Sequence, residues 1–308
     1  MTPVAKVKAA FSLGTNQWDP THRFETSWLF SPWVLFGIRA VISLYSFTTL
    51  FFIIGYTCAH DEFGGCAAVG RSFSYFTVLT YWGLAFYFAV SAVHTLSYAR
   101  RRNQSQSQSQ GESQGQSTQS APPPSCLLDS FPRLLQALHS LFYTTIVTLP
   151  LLVTIVYWAI LYKGVWFAYE FDAWHNLSQH AFNSAFALFE IVFTRAEEPP
   201  WVHMLWLVLL LLGYLGVAYL TAATQGWYTY SFLDRRVGGT GHVASYVLGI
   251  AIGGVFVFAL VRSLIWLRRW VTEVKLGMGG EYAEGGVVEG VAEEDREMCA
   301  VREEKVVG

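Results

Sequence analysis

Hydrophobic residues in this chain fall into long runs that are separated by polar segments. Each run is about as long as the roughly 20 residues that a helix needs to cross the apolar core of a bilayer. The pattern therefore predicts an all-α membrane protein, a bundle of six transmembrane helices. The predicted spans are residues 33–56, 75–98, 137–162, 174–194, 201–224 and 244–267.

The polar segments define the expected domain organisation. The segment between spans two and three contains a stretch, 103–120, of almost only Gln, Ser and Gly, which cannot bury enough apolar surface to fold. We expect it to be a disordered linker, and we expect the same of the Gly- and Glu-rich tail. The predicted parts are a cytoplasmic N-terminal arm (1–32), spans one and two (33–98), a low-complexity cytoplasmic linker (99–135), spans three to six (136–270) and a cytoplasmic tail (271–308).

Composition agrees with a membrane protein. Hydrophobic residues make up 53% of the chain and charged residues 14%, whereas about a quarter of the residues of a soluble domain are charged. The formal net charge of -2 gives no reason to expect nucleic acid as a partner. The N-terminal arm lacks the apolar stretch of a cleavable signal peptide, so the first span is expected to anchor the chain.

The distribution of Lys and Arg predicts the orientation. Six spans place both termini on one side of the membrane, and most basic residues, including 100–102 and 268–269, fall on that side. Both termini are therefore expected to be cytoplasmic, in a multi-pass protein of the endoplasmic reticulum or plasma membrane. Cys58 and Cys66 share a short loop on the other side, where an oxidising compartment would permit a disulfide. Two free thiols are the alternative.

The fourth run differs from the others because its first half is polar. Asn176, His180, Asn183 and Glu190 follow helical spacing and share one face. A polar stripe on a lipid-length helix is costly unless it faces other helices or a wet cavity. It therefore indicates a functional site, with a hydrogen-bond ladder between helices as the alternative.

Depth in the membrane brings one residue of span two into the same layer as this stripe. Thr80 and His180 each lie roughly 8 to 9 Å below the non-cytoplasmic surface at 1.5 Å per residue. If the two helices touch, His180 can take the proton of the Thr80 hydroxyl and make it a nucleophile. Asn176 and Asn183 would then orient the ring or donate to an oxyanion. The alternative for Thr80 is a hydrogen bond to a carbonyl of its own helix.

Two further polar pairs are interpreted more simply. His175 and His180 point to different faces of a helix, and the stretch lacks the usual zinc-binding spacings, so neither metal nor cofactor is expected. Arg39 in span one and Glu190 in span four lie near the same surface of the membrane. We expect them to form an ion pair with a structural role.

Three ordered motifs resemble a known family of multi-pass membrane proteins, the androgen-induced and androgen-dependent TFPI-regulating proteins. The resemblance covers about residues 70–100 and 135–265. The motifs are Leu79-Thr80-Tyr81-Trp82, then Trp174-His175-Asn176 with His180 and Glu190, then Gly226-Trp227-Tyr228-Thr229-Tyr230-Ser231-Phe232-Leu233.

The resemblance implies an intramembrane threonine hydrolase that cleaves fatty acid esters of hydroxy fatty acids. Thr80 would be its nucleophile and His180 its base, and the lipid ester would enter from the bilayer. The Gln/Ser linker and the long tail depart from the family and bear on substrate choice and regulation. The alternative is a non-enzymatic carrier or channel, although a pore needs polar residues along its full length and those of span four crowd into its first half.

Overall fold

A computed structural model describes residues 18–112 and 126–279. Within these residues the secondary structure is helical apart from loops and one isolated β-bridge between Ser27 and Thr194. Five helices of this part are long and apolar enough to cross a membrane. The predicted all-α class is confirmed for the described residues, and five of the six predicted spans correspond to helices that could cross a membrane. The five are Pro32–Ala59, Phe76–Ser105, Arg133–Leu161, Val202–Gln225 and Arg235–Lys275.

The helices are numbered in chain order. Pro32 begins the first one, where the Ser31 side chain accepts a hydrogen bond from the Val34 amide and caps the free N–H groups. Three helices continue into a π-helical turn. The bounds are α1 Pro32–Ala59, α2 Gly65–Ser72, α3 Phe76–Glu112, α4 Arg133–Val156 with the π turn Tyr157–Leu161, α5 Glu170–Leu177 with the π turn Ser178–Phe182, α6 Asn183–Phe193, α7 Val202–Gln225, and α8 Arg235–Arg269 with the π turn Trp270–Lys275.

The predicted fourth span is not one of the five apolar helices. Its region forms α5, the π turn Ser178–Phe182 and α6, a helical segment whose polar first half lowers its mean hydropathy. At its start the Phe171 ring packs on Tyr56 near the end of α1, with 4.3 Å between ring centroids. At its end the Phe193 carbonyl accepts a hydrogen bond from Ser27, which precedes α1. The two ends of this segment therefore contact opposite ends of α1.

Part of the predicted linker and part of the predicted tail are helical. Helix α3 continues to Glu112, well beyond the expected end of span two at residue 98. Gln is a good helix former, and the Ser107 hydroxyl bonds to the Asn103 carbonyl (2.9 Å). The π turn Trp270–Lys275 occupies the start of the expected tail. The rest of the two segments expected to be disordered, 113–125 and 280–308, lies outside the described residues, as do residues 1–17.

Helix α4 lies at the centre of the bundle and contacts α3, α6 and α8. Its buried side chains, such as Tyr143 and Val147, belong to the main apolar core. Large apolar side chains on the outer faces, such as Leu44 and Phe256, are exposed. An exposed apolar surface of this extent fits contact with lipid.

The described part of the N-terminal arm, 18–31, packs against the bundle. The Arg195 amide donates to the Thr26 carbonyl (3.1 Å), and Arg23 pairs with Glu273 (2.8 Å). The arm therefore lies at the same end of the molecule as the end of α6 and the end of α8. At the end of α1 away from the arm, Cys58 and Cys66 form a disulfide, with 4.2 Å between their Cα atoms. Of the two alternatives for this pair, the structure has the bridge.

Candidate functional site

A cavity of about 470 Å³ lies between α1, α3, the start of the α5 segment and the loop 229–231. Much of its polar lining comes from the α5 segment and includes two residues of the predicted stripe, Asn176 and His180. Most of its apolar lining comes from α1 and α3. The polar lining includes Thr77, His175, Asn176, Gln179 and His180, and the apolar lining includes Leu50, Ile53, Ile54, Val78 and Trp82.

His180 lies in the π turn Ser178–Phe182 and is 7% exposed. Its ring stacks on Tyr157, with 3.6 Å between ring centroids and 9° between planes. Trp158 donates to the His180 backbone carbonyl (2.8 Å). Tyr157 and Trp158 begin the π turn of α4, so two such turns meet at this histidine. Single π turns within α-helices are frequent at functional sites.

Three residues of the cavity wall each hold a buried polar atom without a hydrogen-bond partner. These atoms are His180 Nδ1, Trp82 Nε1 and Thr229 Oγ1, of which the last lies beside the Tyr214 hydroxyl. A buried polar group left unpaired costs about 1–3 kcal/mol. Their concentration around one cavity indicates groups kept ready for a bound molecule.

Thr80 does not line this cavity. Its hydroxyl donates to the Phe76 and Thr77 carbonyls, each at 3.0 Å. This is the hydrogen bond within its own helix that was the alternative for Thr80. Among the described residues, no hydrogen bond joins Thr80 to His180.

Thr77, one helical turn before Thr80, lines the cavity together with His180. It is buried, and its side chain interacts with the hydroxyl of Tyr230. Burial raises the pKa of Tyr230, although contacts with Tyr214 and Thr77 oppose this effect, so its hydroxyl remains protonated. Thr77 was not among the site residues predicted from the sequence. It lies nearer the membrane surface than Thr80, and only the rotation of α3 decides which threonine faces the cavity.

The two asparagines of the stripe have different surroundings. Asn176 lines the cavity, accepts from the Tyr157 hydroxyl (2.8 Å) and donates to the Asp172 carbonyl (2.8 Å). Asn183 is turned toward α4, where it donates to the Pro150 carbonyl (3.3 Å) and accepts from Thr154 (3.0 Å). The first half of the stripe thus faces a cavity, whereas the second half forms the hydrogen-bond ladder between helices.

A second, apolar cavity of about 110 Å³ adjoins the first. The two share Thr77, Tyr157, Leu161 and Tyr230 as lining residues. Its other walls come from α4, α7 and α8 and are formed by side chains such as Leu152, Val208, Leu211, Leu215 and Ile250. A polar chamber therefore opens beside a slot whose lining suits a hydrocarbon chain.

The chain matches no protein-family model, no curated protein and no solved structure. Membership of the family that the sequence motifs resemble therefore stays a prediction.

Proposed function

We propose that this protein is an integral membrane hydrolase of lipid esters. The observation that carries the proposal is the 470 Å³ cavity, which brings a threonine and a histidine to one chamber beside an apolar slot. The polar chamber would hold the ester group and the slot one acyl chain. The resemblance to the androgen-induced and androgen-dependent TFPI-regulating proteins points to fatty acid esters of hydroxy fatty acids as the substrate class.

Thr77 is the better-placed nucleophile, and Thr80 is the second candidate. Thr77 lines the chamber with His180, whereas the Thr80 hydroxyl is held by two carbonyls of its own helix. A hydroxyl needs a base within reach, directly or through one water, before it attacks a carbonyl. Thr80 would have to break its bonds within the helix before it could act in this way.

The proposed reaction needs no group beyond the chain and water. The Thr77 oxygen attacks the ester carbonyl while His180 takes the hydroxyl proton. The tetrahedral intermediate collapses, and the leaving alcohol receives that proton from His180. His180 then takes a proton from water, which attacks the acyl-threonine and releases the fatty acid. The proton returns to the Thr77 oxygen.

Two side chains are candidates for stabilising the oxyanion. Trp82 Nε1 is a donor that lacks a partner in the cavity wall, and the Thr229 hydroxyl, which interacts with Tyr214, is the second. Preorganised donors aimed at a developing negative charge are a large part of the rate enhancement in ester hydrolysis. Asn176 already bonds to Tyr157 and Asp172. Because the Tyr157 ring stacks on His180, Asn176 would help to position the His180 ring through Tyr157. Asn183 is committed to α4 and would have a structural role.

We also propose that the segment Glu170–Phe193 is a sixth membrane crossing. Its 24 helical residues extend about 36 Å at 1.5 Å per residue, enough for a bilayer core. Its polar first half faces the cavity, so lipid does not contact those groups. Six crossings would place both termini on the same side of the membrane. Most Lys and Arg residues would lie on that side, so it would be the cytoplasmic side of the endoplasmic reticulum or plasma membrane.

A carrier or channel is the rival function. The packing of the second half of Glu170–Phe193 argues against it. Ala187, Glu190 and Ile191 are fully or almost fully buried. Glu190 is bound by Arg39 and Tyr87. A permeation path would need polar groups facing an open passage along the whole segment. The cavity instead ends against packed side chains, which suits a blind reaction chamber.

The test is hydrolysis of a fatty acid ester of a hydroxy fatty acid by the purified full chain in detergent, with release of free fatty acid as the readout. Thr77→Ala and His180→Gln should each lower kcat/KM at least about 100-fold, the usual effect of losing a positioned base or its nucleophile. His94→Gln is the matched control, because His94 is buried outside the cavity. Labelling with a fluorophosphonate and mapping the modified peptide identifies the nucleophile.

Each outcome has a distinct meaning. Activity that survives both Thr77→Ala and His180→Gln would exclude the proposed mechanism. A label on Thr80, together with loss of activity only in Thr80→Ala, would assign the attack to Thr80 instead. A purified, folded protein that hydrolyses no lipid ester and binds no label would favour the carrier.

A further inference from the structure

A second group of polar side chains lies at the opposite end of the molecule, where the N-terminal arm meets the segment before α4. The potential ligand atoms of His22, Cys126 and Asp129 all lie within 4.8 Å of one another. Glu25 adds a fourth group, because its Oε1 atom is 3.4 Å from Cys126 Sγ. His22 Nδ1 is 3.8 Å from Asp129 Oδ2. The four residues are here called the arm cluster.

Two atoms of the arm cluster have no hydrogen-bond partner. They are His22 Nδ1 and Glu25 Oε2, on side chains that are 2% and 0% exposed. Burying such groups unpaired costs about 1–3 kcal/mol each, and more for a charged one. His22 also has a positive φ of 50°, which is unfavourable for a residue with a side chain. Hydrogen bonds therefore account for only part of this buried group, because the Cys126 thiol donates to Glu25 Oε1 while Glu25 Oε2 and His22 Nδ1 stay without a partner.

We propose that the arm cluster is a binding site for a zinc-like divalent transition metal ion, with His22, Cys126, Asp129 and Glu25 as ligands. Imidazole nitrogen, thiolate and carboxylate oxygen are the groups that bind zinc, which prefers four ligands in a tetrahedron. Ligand atoms in such a tetrahedron lie roughly 3.3–3.8 Å apart, given bonds of about 2.0–2.3 Å. The atom pairs at 3.4 and 3.8 Å come close to this spacing.

The ion would bind both unpaired atoms, and its two positive charges would offset most of the negative charge of the thiolate and the two carboxylates, which lose their protons on binding. Hard ions such as Mg²⁺ prefer oxygen ligands only, so the thiol and the imidazole select against them. The site is independent of the proposed hydrolysis, because none of its residues lines either cavity described above.

The position of the arm cluster indicates a structural role for the ion. His22 and Glu25 belong to the arm, whereas Cys126 and Asp129 directly precede α4. Phe24, one of the two residues between the arm ligands, accepts a hydrogen bond through its carbonyl from Arg39 of α1. A metal ion would therefore fasten the arm and the start of α4 to each other beside the ion pair of Arg39.

The test measures metal content and a cobalt spectrum on the full chain, purified in detergent without chelators. The wild type should carry about one zinc per chain by elemental mass spectrometry. After exchange into Co²⁺ it should show a thiolate-to-cobalt charge-transfer band and the strong visible bands of a tetrahedral ion. Cys126→Ser should abolish the charge-transfer band, and His22→Asn should lower the affinity for Co²⁺ at least about tenfold.

Matched controls separate this site from adventitious binding. Cys299→Ser removes the other cysteine outside the disulfide, and His242→Asn removes an exposed histidine. Neither should change the metal content or the spectrum. Tryptophan fluorescence melting of each variant, with and without EDTA, reports folding. EDTA should lower the melting temperature of the wild type and of the two control variants, but not that of folded Cys126→Ser.

Two results would overturn the proposal. The first is wild-type protein without stoichiometric zinc and without a charge-transfer band after cobalt is added. The second is a spectrum that persists in folded Cys126→Ser or disappears in Cys299→Ser. If Cys126→Ser fails to fold, Glu25→Gln and His22→Asn take its place, and unchanged cobalt affinity in both would equally overturn the site.

Discussion

Arg39 and Glu190 form a bidentate ion pair in the interior of the bundle, with Nε and Nη2 each 2.8 Å from a carboxylate oxygen. Both side chains are buried. Arg39 also donates to the Phe24 carbonyl (2.8 Å) and to Thr95 (2.6 Å), and Tyr87 donates to Glu190 (3.2 Å). The pair therefore ties α1, α3, α6 and the N-terminal arm together.

Removing one member of this pair should be far more damaging than removing both. Arg39→Met leaves the Glu190 carboxylate buried without its partner, so we expect it to cost about 3–5 kcal/mol of the free energy of unfolding. Arg39→Met combined with Glu190→Gln should recover part of that loss, because the buried charge is gone. Chemical unfolding in detergent, followed by tryptophan fluorescence, measures both.

The control for this prediction is an exposed pair elsewhere in the chain. Arg236 is 77% exposed and pairs with Asp234, so Arg236→Met should change the free energy of unfolding by less than about 1 kcal/mol. A cost of Arg39→Met no larger than that of Arg236→Met would contradict the structural role of the buried pair.

The Arg39–Glu190 ion pair was predictable from the sequence, because a membrane of fixed thickness relates the position of a residue in its span to its depth. Hydrophobic runs locate the helices, and counting residues from the ends of the runs gives depth. Arg39 and Glu190 were expected at the same depth and are bonded. The same reasoning predicted that His180 would face a polar environment, and it lines a cavity.

Rotation about the helix axis and long-range contacts were not predictable in this way. Thr77 and Thr80 are three residues apart, about 60° around a helix. Apolar neighbours on all sides of α3 give no signal as to which threonine faces inward. The arm cluster is harder still, because Glu25 and Cys126 are 101 residues apart in the chain. No motif spacing links them, so the cluster emerges only from the packing of the arm.

The apolar slot supplies a test of substrate placement, which rests on the proposed function. Ala251 lines the slot, so Ala251→Phe should fill it and exclude a long acyl chain. We expect kcat/KM for long-chain esters to fall about tenfold or more while short-chain esters are little affected. The neighbouring Ile252 is 68% exposed on the outer face, and Ile252→Phe is the control. An unchanged chain-length profile in Ala251→Phe would place the acyl chain elsewhere.

The disulfide of the loop after α1 should stabilise the fold modestly. Cys58 and Cys66 are 8 residues apart, and closing a loop of that size is worth about 2–3 kcal/mol in the chain-entropy description. Cys58→Ser with Cys66→Ser should lower the melting temperature accordingly, whereas Cys299→Ser should not. Mass spectrometry after alkylation under non-reducing conditions should find neither Cys58 nor Cys66 modified in the wild type. Modification of both in the native protein would contradict the bridge.

The last prediction concerns the number of crossings, on which the orientation of the site depends. Six crossings place both termini on one side, whereas five place them on opposite sides. Because Phe171 packs near the end of α1 and Phe193 bonds to Ser27 before α1, we expect Glu170–Phe193 to cross. Epitope tags at the two termini should then be accessible together, from the cytoplasmic side only, in selectively permeabilised cells.

A label in the loop between α4 and α5 completes this test. Val165 in that loop is exposed. In a variant whose Cys126 and Cys299 are replaced by Ser, Val165→Cys should react with a membrane-impermeant thiol reagent only from the non-cytoplasmic side. Arg236→Cys, after α7, should react from that same side, because two crossings separate the two positions. Reaction of the two cysteines from opposite sides would mean that Glu170–Phe193 does not cross the membrane. The segment that lines the cavity would then enter and leave the membrane on the same side.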